Sequence, residues 1–277
     1  MAPADKPRHR SGYTAEETLQ VQSACLTVAV TLGAYLDDLC IVGGLVPSLL
    51  IDRQLGPDPE ADAWHPGTND LDIGLAVALL HDERYAEISR RLRQEGFGPD
   101  RNADGNEVLQ RWRLGDLRVT IDFLMAPAPS DEPAGRIQPL ESDFGVLVTS
   151  GLELAFDERI KIELEGHTLN SEKVARAVPV CGPAAFVVLK ALAFGDRAEP
   201  KDAYDLVYVV RRSSAAPESI AERLSEHAGR HAEIVDRALT LLLRDFRDPG
   251  GLGPRRAAAF DVIDPDELDA AAADAHG

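Results

Sequence analysis

"HPGTNDLDIGLAV", residues 65–77, places two aspartates, Asp70 and Asp72, one residue apart inside an otherwise apolar run. The alternation predicts a half-buried strand, in which side chains two apart share a face. Leu71 and Ile73 then point into the core, and Asp70 and Asp72 point together the other way. Two carboxylates about 6–7 Å apart at Cα repel each other unless a cation lies between them. Mg²⁺ prefers oxygen ligands and takes one or two carboxylates together with substrate phosphates. For the pair alone, a solvated edge strand or a loop entry is the ordinary alternative.

A second run narrows the choice. In "LRVTIDFL", residues 117–124, Leu117, Val119, Ile121 and Phe123 form one apolar face and Arg118, Thr120 and Asp122 the other. Asp122 is therefore aimed away from the core by a well-patterned strand. Three strand-borne aspartates able to converge suit a two-cation clamp for in-line phosphoryl chemistry. Upstream, "IVGGL", residues 41–45, reads as a strand, a double glycine and a helix start. Glycines let backbone N–H groups approach a phosphate, and a helix N-terminus favours anions. The motif lacks the Lys-Ser/Thr ending of a P-loop and the third glycine of a dinucleotide fingerprint.

The chain has 277 residues, 44% of them apolar, enough for one large domain or two ordinary ones. A formal charge of -18 argues against a broad nucleic-acid footprint, which wants a basic face. It leaves room for a locally basic groove, a cationic small substrate or metal ions. Cys25, Cys40 and Cys181 show no metal-like spacing and read as reduced core thiols. The N-terminal residues carry no apolar stretch of the signal-peptide kind, and "ACLTVAVTLGAYL" is too short to span a bilayer. A soluble, cytoplasmic protein is expected.

Residues 1–13 read as a flexible leader. From Thr14 a helix is predicted, since Glu17 stands three residues on in a capping-box pattern. "LCIVGG" follows as a buried strand, then a helix start at "LVPSLLID", a Pro-, Asp- and Gly-rich loop over 54–67, and the "DLDIGLAV" strand. "HDERYAEISRRLRQEGF" is an amphipathic helix ending near Gly96. "EVLQRWRL" and "LRVTIDFLM" are strands joined at Gly115-Asp116, a hairpin signal. A Pro-, Ser- and Glu-rich loop spans roughly 126–143. "GVLVTSGLELAF" and "RIKIELEG" are further strands, and "VARAVPVCGP" ends the mixed part. Beyond Pro183, "PAAFVVLKALAF", "KDAYDLVYVVRR", "PESIAERLSEHAG" and "HAEIVDRALTLLLRDF" read as helices. The expected class is α+β: a mixed-sheet domain over 14–180, a helical domain over 181–262 and a frayed acidic tail over 263–277.

Within the helical part, Lys190 has nearly all apolar neighbours, so its ammonium must find an anion or reach water. A salt bridge, to Asp205 for example, satisfies that need without any function. Asp205 lies among Tyr204, Leu206 and Val207. Asp202, in the first turn after Pro200, is explained by the helix dipole. Arg197 suits either a carboxylate or a phosphate.

Strand, double glycine and helix, followed by "GTNDLDIGL" and a later "IDFL" strand, resemble the nucleotidyltransferase fold of the polymerase-beta-like superfamily. "FVVLKALAFGDRAEPKDAYDLVYVV" is similar to the Lys…Arg…Lys-Asp-x-x-Asp-Leu segment of the AbiEii/AbiGii family of type IV toxin–antitoxin toxins. The resemblance covers roughly residues 38–212. It implies an NTP-dependent nucleotidyltransferase in which Gly43 and Gly44 cradle the nucleotide phosphates. Asp70 and Asp72 would bind Mg²⁺, and Asp122 would complete the metal site or take the proton of the attacking hydroxyl. Lys190 would contact the triphosphate, and Asp205 is the implied active-site member of the pair with Asp202. Leu45 stands where related sequences often carry a small hydroxyl residue, and Ser48, one turn later, is the candidate substitute. His65 and Thr68 end the preceding loop and would shape the entrance. The implied partners are an NTP, an acceptor such as tRNA or a small molecule, and a cognate antitoxin, with no membrane. Alternative readings are an aminoglycoside-type nucleotidyltransferase and a non-catalytic regulatory protein retaining the fold.

Overall fold

A computed structural model describes residues 7–52, 64–128, 134–213, 217–261 and 268–276. Most of the loop expected over 54–67, residues 129–133 of the second loop, the first six residues and parts of the tail lie outside these. The chain divides into two compact units. One holds Ala15–Val46 and Gly67–Cys181; the other holds Pro7–Thr14, Pro47–Pro66 and Gly182–Gly277.

The first unit is a mixed sheet. Its strands are β1 (Leu39–Val42), β2 (Asp70–Leu75), β3 (Phe97–Arg101), β4 (Glu107–Leu114), β5 (Thr120–Met125), β6 (Ile137–Pro139), β7 (Gly145–Val148), β8 (Arg159–His167) and β9 (Lys173–Cys181). They lie in the order β3-β4-β5-β2-β1-β9-β8, with β7 also paired to β5 and β6 to β7. β2 runs parallel to β5, and β1 antiparallel to β2. In β2, Leu71, Ile73 and Leu75 are fully buried as expected, but Asp70 is buried as well, so among the strand's residues Asp72 alone is partly open. On β5, Ile121 and Phe123 are buried on the same principle. Phe123, Trp112 and Phe144 meet edge to face, with centroids 5.2–6.1 Å apart. Each such side chain contributes about 1.5–3 kcal/mol of burial free energy, so a one-residue slip of either strand would exchange its core for its carboxylates. Helix α1 (Ala15–Thr31) buries Val21, Cys25, Leu26 and Val28, and packs against β8 and β9.

Several expectations need correction. The run "GVLVTSGLELAF" is half strand and half helix. β7 ends at Val148, Gly151 turns the chain at φ +81°, and a helix follows over Leu152–Asp157 that buries Leu152, Leu154 and Ala155. A short apolar run carries no period that separates the two conformations. β3 escaped notice because Pro99 breaks its pattern; it is an edge strand with a register shift at Pro99/Asp100, where proline is tolerated. β6 lies inside the expected loop. All three cysteines are buried free thiols, as read.

The second unit is helical, with α5 (Pro183–Arg197), α6 (Pro200–Arg212), α7 (Pro217–Phe246), α8 (Leu252–Asp261) and α9 (Leu268–His276), numbered after α2 (Val46–Leu50), α3 (Tyr85–Gln94) and α4 (Leu152–Asp157). Its core joins Ala184, Val187, Phe194, Ala203, Leu206, Ile220 and Ala257. The two helices expected over 217–246 are present and meet at a kink, where His231 leaves helical geometry (φ -132°, ψ 46°). Residues 7–13, at the end of the expected leader, make contacts within the second unit. Tyr13 packs on Phe260 at 5.8 Å and Arg10 pairs with Asp261 at 2.8 Å. Within the acidic tail, Leu268–His276 is helical with Ala272 buried, since alanine has the highest helix propensity and needs little space to pack. Among the described residues no helix is long and apolar enough to cross a membrane.

Candidate active site

The sheet register builds the site. Asp72 stands opposite Asp122 across β2 and β5, and Asp70 opposite Thr120. On the far side of β5, antiparallel β4 sets Arg111 opposite Asp122. On the near side of β2, Val42 faces Asp72. One row across four strands therefore reads Val42, Asp72, Asp122, Arg111, and partners in such a row share a face of the sheet. One carboxylate oxygen each from Asp70, Asp72 and Asp122 lie within 4.8 Å of one another. The convergence expected of the three aspartates is present.

Their surroundings fix the carboxylates. Asp70 is buried, and the Thr68 hydroxyl donates to its Oδ1 at 2.7 Å. Gly43 follows β1 at φ +70°, and a Cβ placed on it would fall 1.8 Å from Asp72 Oδ2. The bend is glycine both for its left-handed backbone and because Asp72 occupies the space of a side chain. Arg111 donates to both oxygens of Asp122, Nε to Oδ1 at 2.7 Å and the guanidinium NH2 to Oδ2 at 2.8 Å. These bonds, with the nearby Asp70 and Asp72, hold its proton more firmly than usual despite the opposing effect of burial. Three carboxylates in so small a volume form a hard, all-oxygen donor set that fits Mg²⁺ or Mn²⁺.

The second unit holds a separate charged cluster. Lys190 lies between two carboxylates, 2.9 Å from Asp202 Oδ1 and 2.7 Å from Asp205 Oδ2. Burial would lower its pKa, but the two aspartates outweigh that and raise it. Asp202 also accepts two hydrogen bonds from Arg197, at 2.6 and 2.9 Å. Against desolvation, Lys190 and Arg197 bring its pKa down to about 2. Asp205 is fully buried and meets Lys190, Lys201 at 2.9 Å and His65 Nε2 at 2.9 Å. Despite burial, these partners hold it well below the usual carboxylate range. His65 is itself fully enclosed, and burial followed by Lys201 lowers its pKa against the pull of Asp205. Neutral His65 must then carry its proton on Nε2 to donate to Asp205. Its backbone N–H donates to Asp52, which also accepts from the Tyr208 hydroxyl. His65 is thus enclosed within the second unit, bonded through its ring to Asp205 and through its backbone to Asp52. Ser48 is buried in α2, and its Oγ makes no hydrogen bond among the described residues.

Sequence reasoning missed Arg111, His65's partnership and Asp52. The alternation of "EVLQRWRL" puts Arg111 opposite Trp112, but only the register tells which carboxylate it meets. His65 and Asp205 are 140 residues apart, and no local pattern links them. Lys201, at i, i+4 from Asp205, was readable.

A mixed sheet that presents three carboxylates from two adjacent strands beside a glycine bend defines the class, a nucleotidyltransferase-type fold. The sequence model of the family described as nucleotidyl transferase AbiEii toxin, type IV TA system, matches residues 68–275. The chain belongs to this AbiEii family of nucleotidyltransferases. The match takes in all three clustered aspartates, Lys190, Asp202 and Asp205, and begins after Gly43 and Gly44. Among solved structures, the chain is similar to the antibiotic-resistance factor ANT(2'')-Ia, studied in solution, at 12% identity. That alignment covers 81% of this chain and 99% of the other, with a TM-score of 0.40. It is also similar to an antigenic nucleotidyltransferase-like protein from Paracoccidioides brasiliensis, at 15% identity over 79% of this chain and 92% of the other, with a TM-score of 0.35. A search of curated proteins finds no match in sequence.

Proposed function

We propose that the protein transfers a nucleoside monophosphate from an NTP to a hydroxyl of an RNA, in the manner of a growth-inhibiting toxin held in check by a cognate antitoxin. The reading rests on the meeting of Asp70, Asp72 and Asp122 within 4.8 Å. Divalent cations held by these residues would lower the pKa of the acceptor hydroxyl and neutralise the departing pyrophosphate. The acceptor oxygen bonds to the α-phosphorus, the bond to the β-phosphate oxygen breaks, and the acceptor proton passes to a carboxylate, for which Asp122 is the candidate. The Gly43-Gly44 bend offers backbone N–H groups to the triphosphate, with Ser48 as the candidate hydroxyl nearby in sequence. Lys190 and Asp205 carry an implied nucleotide role. The burial of Lys190 between Asp202 and Asp205 supports a narrower one, in which the ammonium fixes the two carboxylates.

A small cationic acceptor is the second reading, favoured by the formal charge of -18, which attracts cations and repels polyanions. One experiment separates the two. The purified protein is incubated with α-labelled NTPs and Mg²⁺, offered bulk tRNA, an aminoglycoside or no acceptor. Label on tRNA is the expected result, label on the drug supports the second reading, and label on neither contradicts both.

A further inference from the structure

Arg111 is a charged neighbour of the aspartates that neither the residue patterns nor the family resemblance assigned. It sits on β4, opposite Asp122 in the register, and both of its hydrogen bonds to Asp122 are short and paired. Bidentate guanidinium–carboxylate pairs of this kind are the strongest such hydrogen bonds and occupy both oxygens of the acid. Asp122 is also the residue whose oxygen completes the group with Asp70 and Asp72. The same carboxylate thus has two claims on it.

We infer that Arg111 is the built-in counter-ion of the carboxylate triad and competes with the divalent cation for Asp122. Without metal, its guanidinium offsets the repulsion that three crowded carboxylates would otherwise exert on the β2–β5 pair. A cation bound to Asp122 would share the carboxylate with a guanidinium already bonded to both oxygens, so each positive charge weakens the hold of the other. Arg111 therefore sets the metal concentration at which the site loads, as a positioning residue and not as a catalytic one. A simple structural bond would be indifferent to metal; this one is not. The inference rests on the reading of the triad as a metal site.

The test is direct binding of Mn²⁺, followed by electron paramagnetic resonance, to the full-length protein without nucleotide. Arg111→Gln is expected to bind Mn²⁺ roughly tenfold more tightly than the natural chain. Arg111→Lys, which keeps the charge but loses the paired geometry, should fall between. Metal-free Arg111→Gln should melt earlier than the natural protein, and Mn²⁺ should raise its melting temperature by more. In an Asp122→Asn background the Arg111→Gln effect on affinity should largely vanish, because the contested carboxylate is gone. Equal or weaker Mn²⁺ binding by Arg111→Gln and Arg111→Lys, with the natural chain binding normally, would overturn the counter-ion role alone. Failure of every protein to bind Mn²⁺ would remove the metal site itself, and the inference with it.

Discussion

Asp72 and Asp122 stand opposite each other on neighbouring parallel strands, β2 and β5, with Asp70 one pleat away on the same face. The core side chains between them, Leu71, Ile73, Ile121 and Phe123, lock that register. The apolar side chains thus take one face of these strands and the carboxylates the other. Replacing Asp70 and Asp72 together with Asn should abolish nucleotide transfer, by at least about a hundredfold, while leaving the fold intact because repulsion is relieved. Transfer of label and a melting curve on the same preparation check both halves.

Gly43→Ala should damage the site more than the fold. An alanine held at φ +70° costs about 1–2 kcal/mol, and its Cβ would collide with Asp72 Oδ2. The expected outcome is a modest fall in melting temperature with a much larger loss of transfer and of Mn²⁺ affinity. A variant with a lowered melting temperature and full transfer would show that Asp72 need not hold its place.

Lys190→Met should be severely destabilising, by about 3–5 kcal/mol, as expected when one partner of a buried ion pair is removed. Asp202 keeps Arg197, and Asp205 keeps Lys201 and His65, so Asp202→Asn combined with Lys190→Met should recover part of the loss. Urea unfolding of the single and double variants measures the recovery.

The His65–Asp205 pair gives the protein a signature in weak acid. The pKa of His65 lies below its ordinary 6.5 in the fold, so the unfolded chain takes up this proton first. Stability from His65 is therefore complete above about pH 6.5 and declines as pH falls toward its folded value. Asp202 and Asp205 have depressed values, so their contribution is present above their unfolded pKa of 3.8 and is lost only in stronger acid, near pH 2 for Asp202. Between pH 6.5 and 5, His65→Gln should lower the slope of stability against pH by up to one proton, about 1.4 kcal/mol per pH unit. Denaturation at closely spaced pH values reads that slope.

The main strands and the convergence of three aspartates were legible because period-two patterning survives in "DLDIGL" and "VTIDFL". The helix at Leu152 was hidden by an apolar run with no resolvable period, and β3 by its proline. Residues 1–13 read as a leader because the partners of Tyr13 and Arg10, Phe260 and Asp261, lie some 250 positions away. The partners of Arg111 and His65 were not legible either: Asp122 lies only 11 positions from Arg111 but across a hairpin of unknown register, and Asp205 lies 140 positions from His65. The first pairing needs the exact register of two strands and the second a burial between distant segments, which residue patterns do not give.

Whether Asp70, Asp72 and Asp122 together hold a divalent cation can be seen by anomalous diffraction from crystals soaked in MnCl₂. The expected result is a peak bonded to oxygens of all three carboxylates, at slightly over the roughly 2.0–2.1 Å of Mg²⁺ coordination. No peak there at saturating Mn²⁺, or one bound elsewhere, would contradict it.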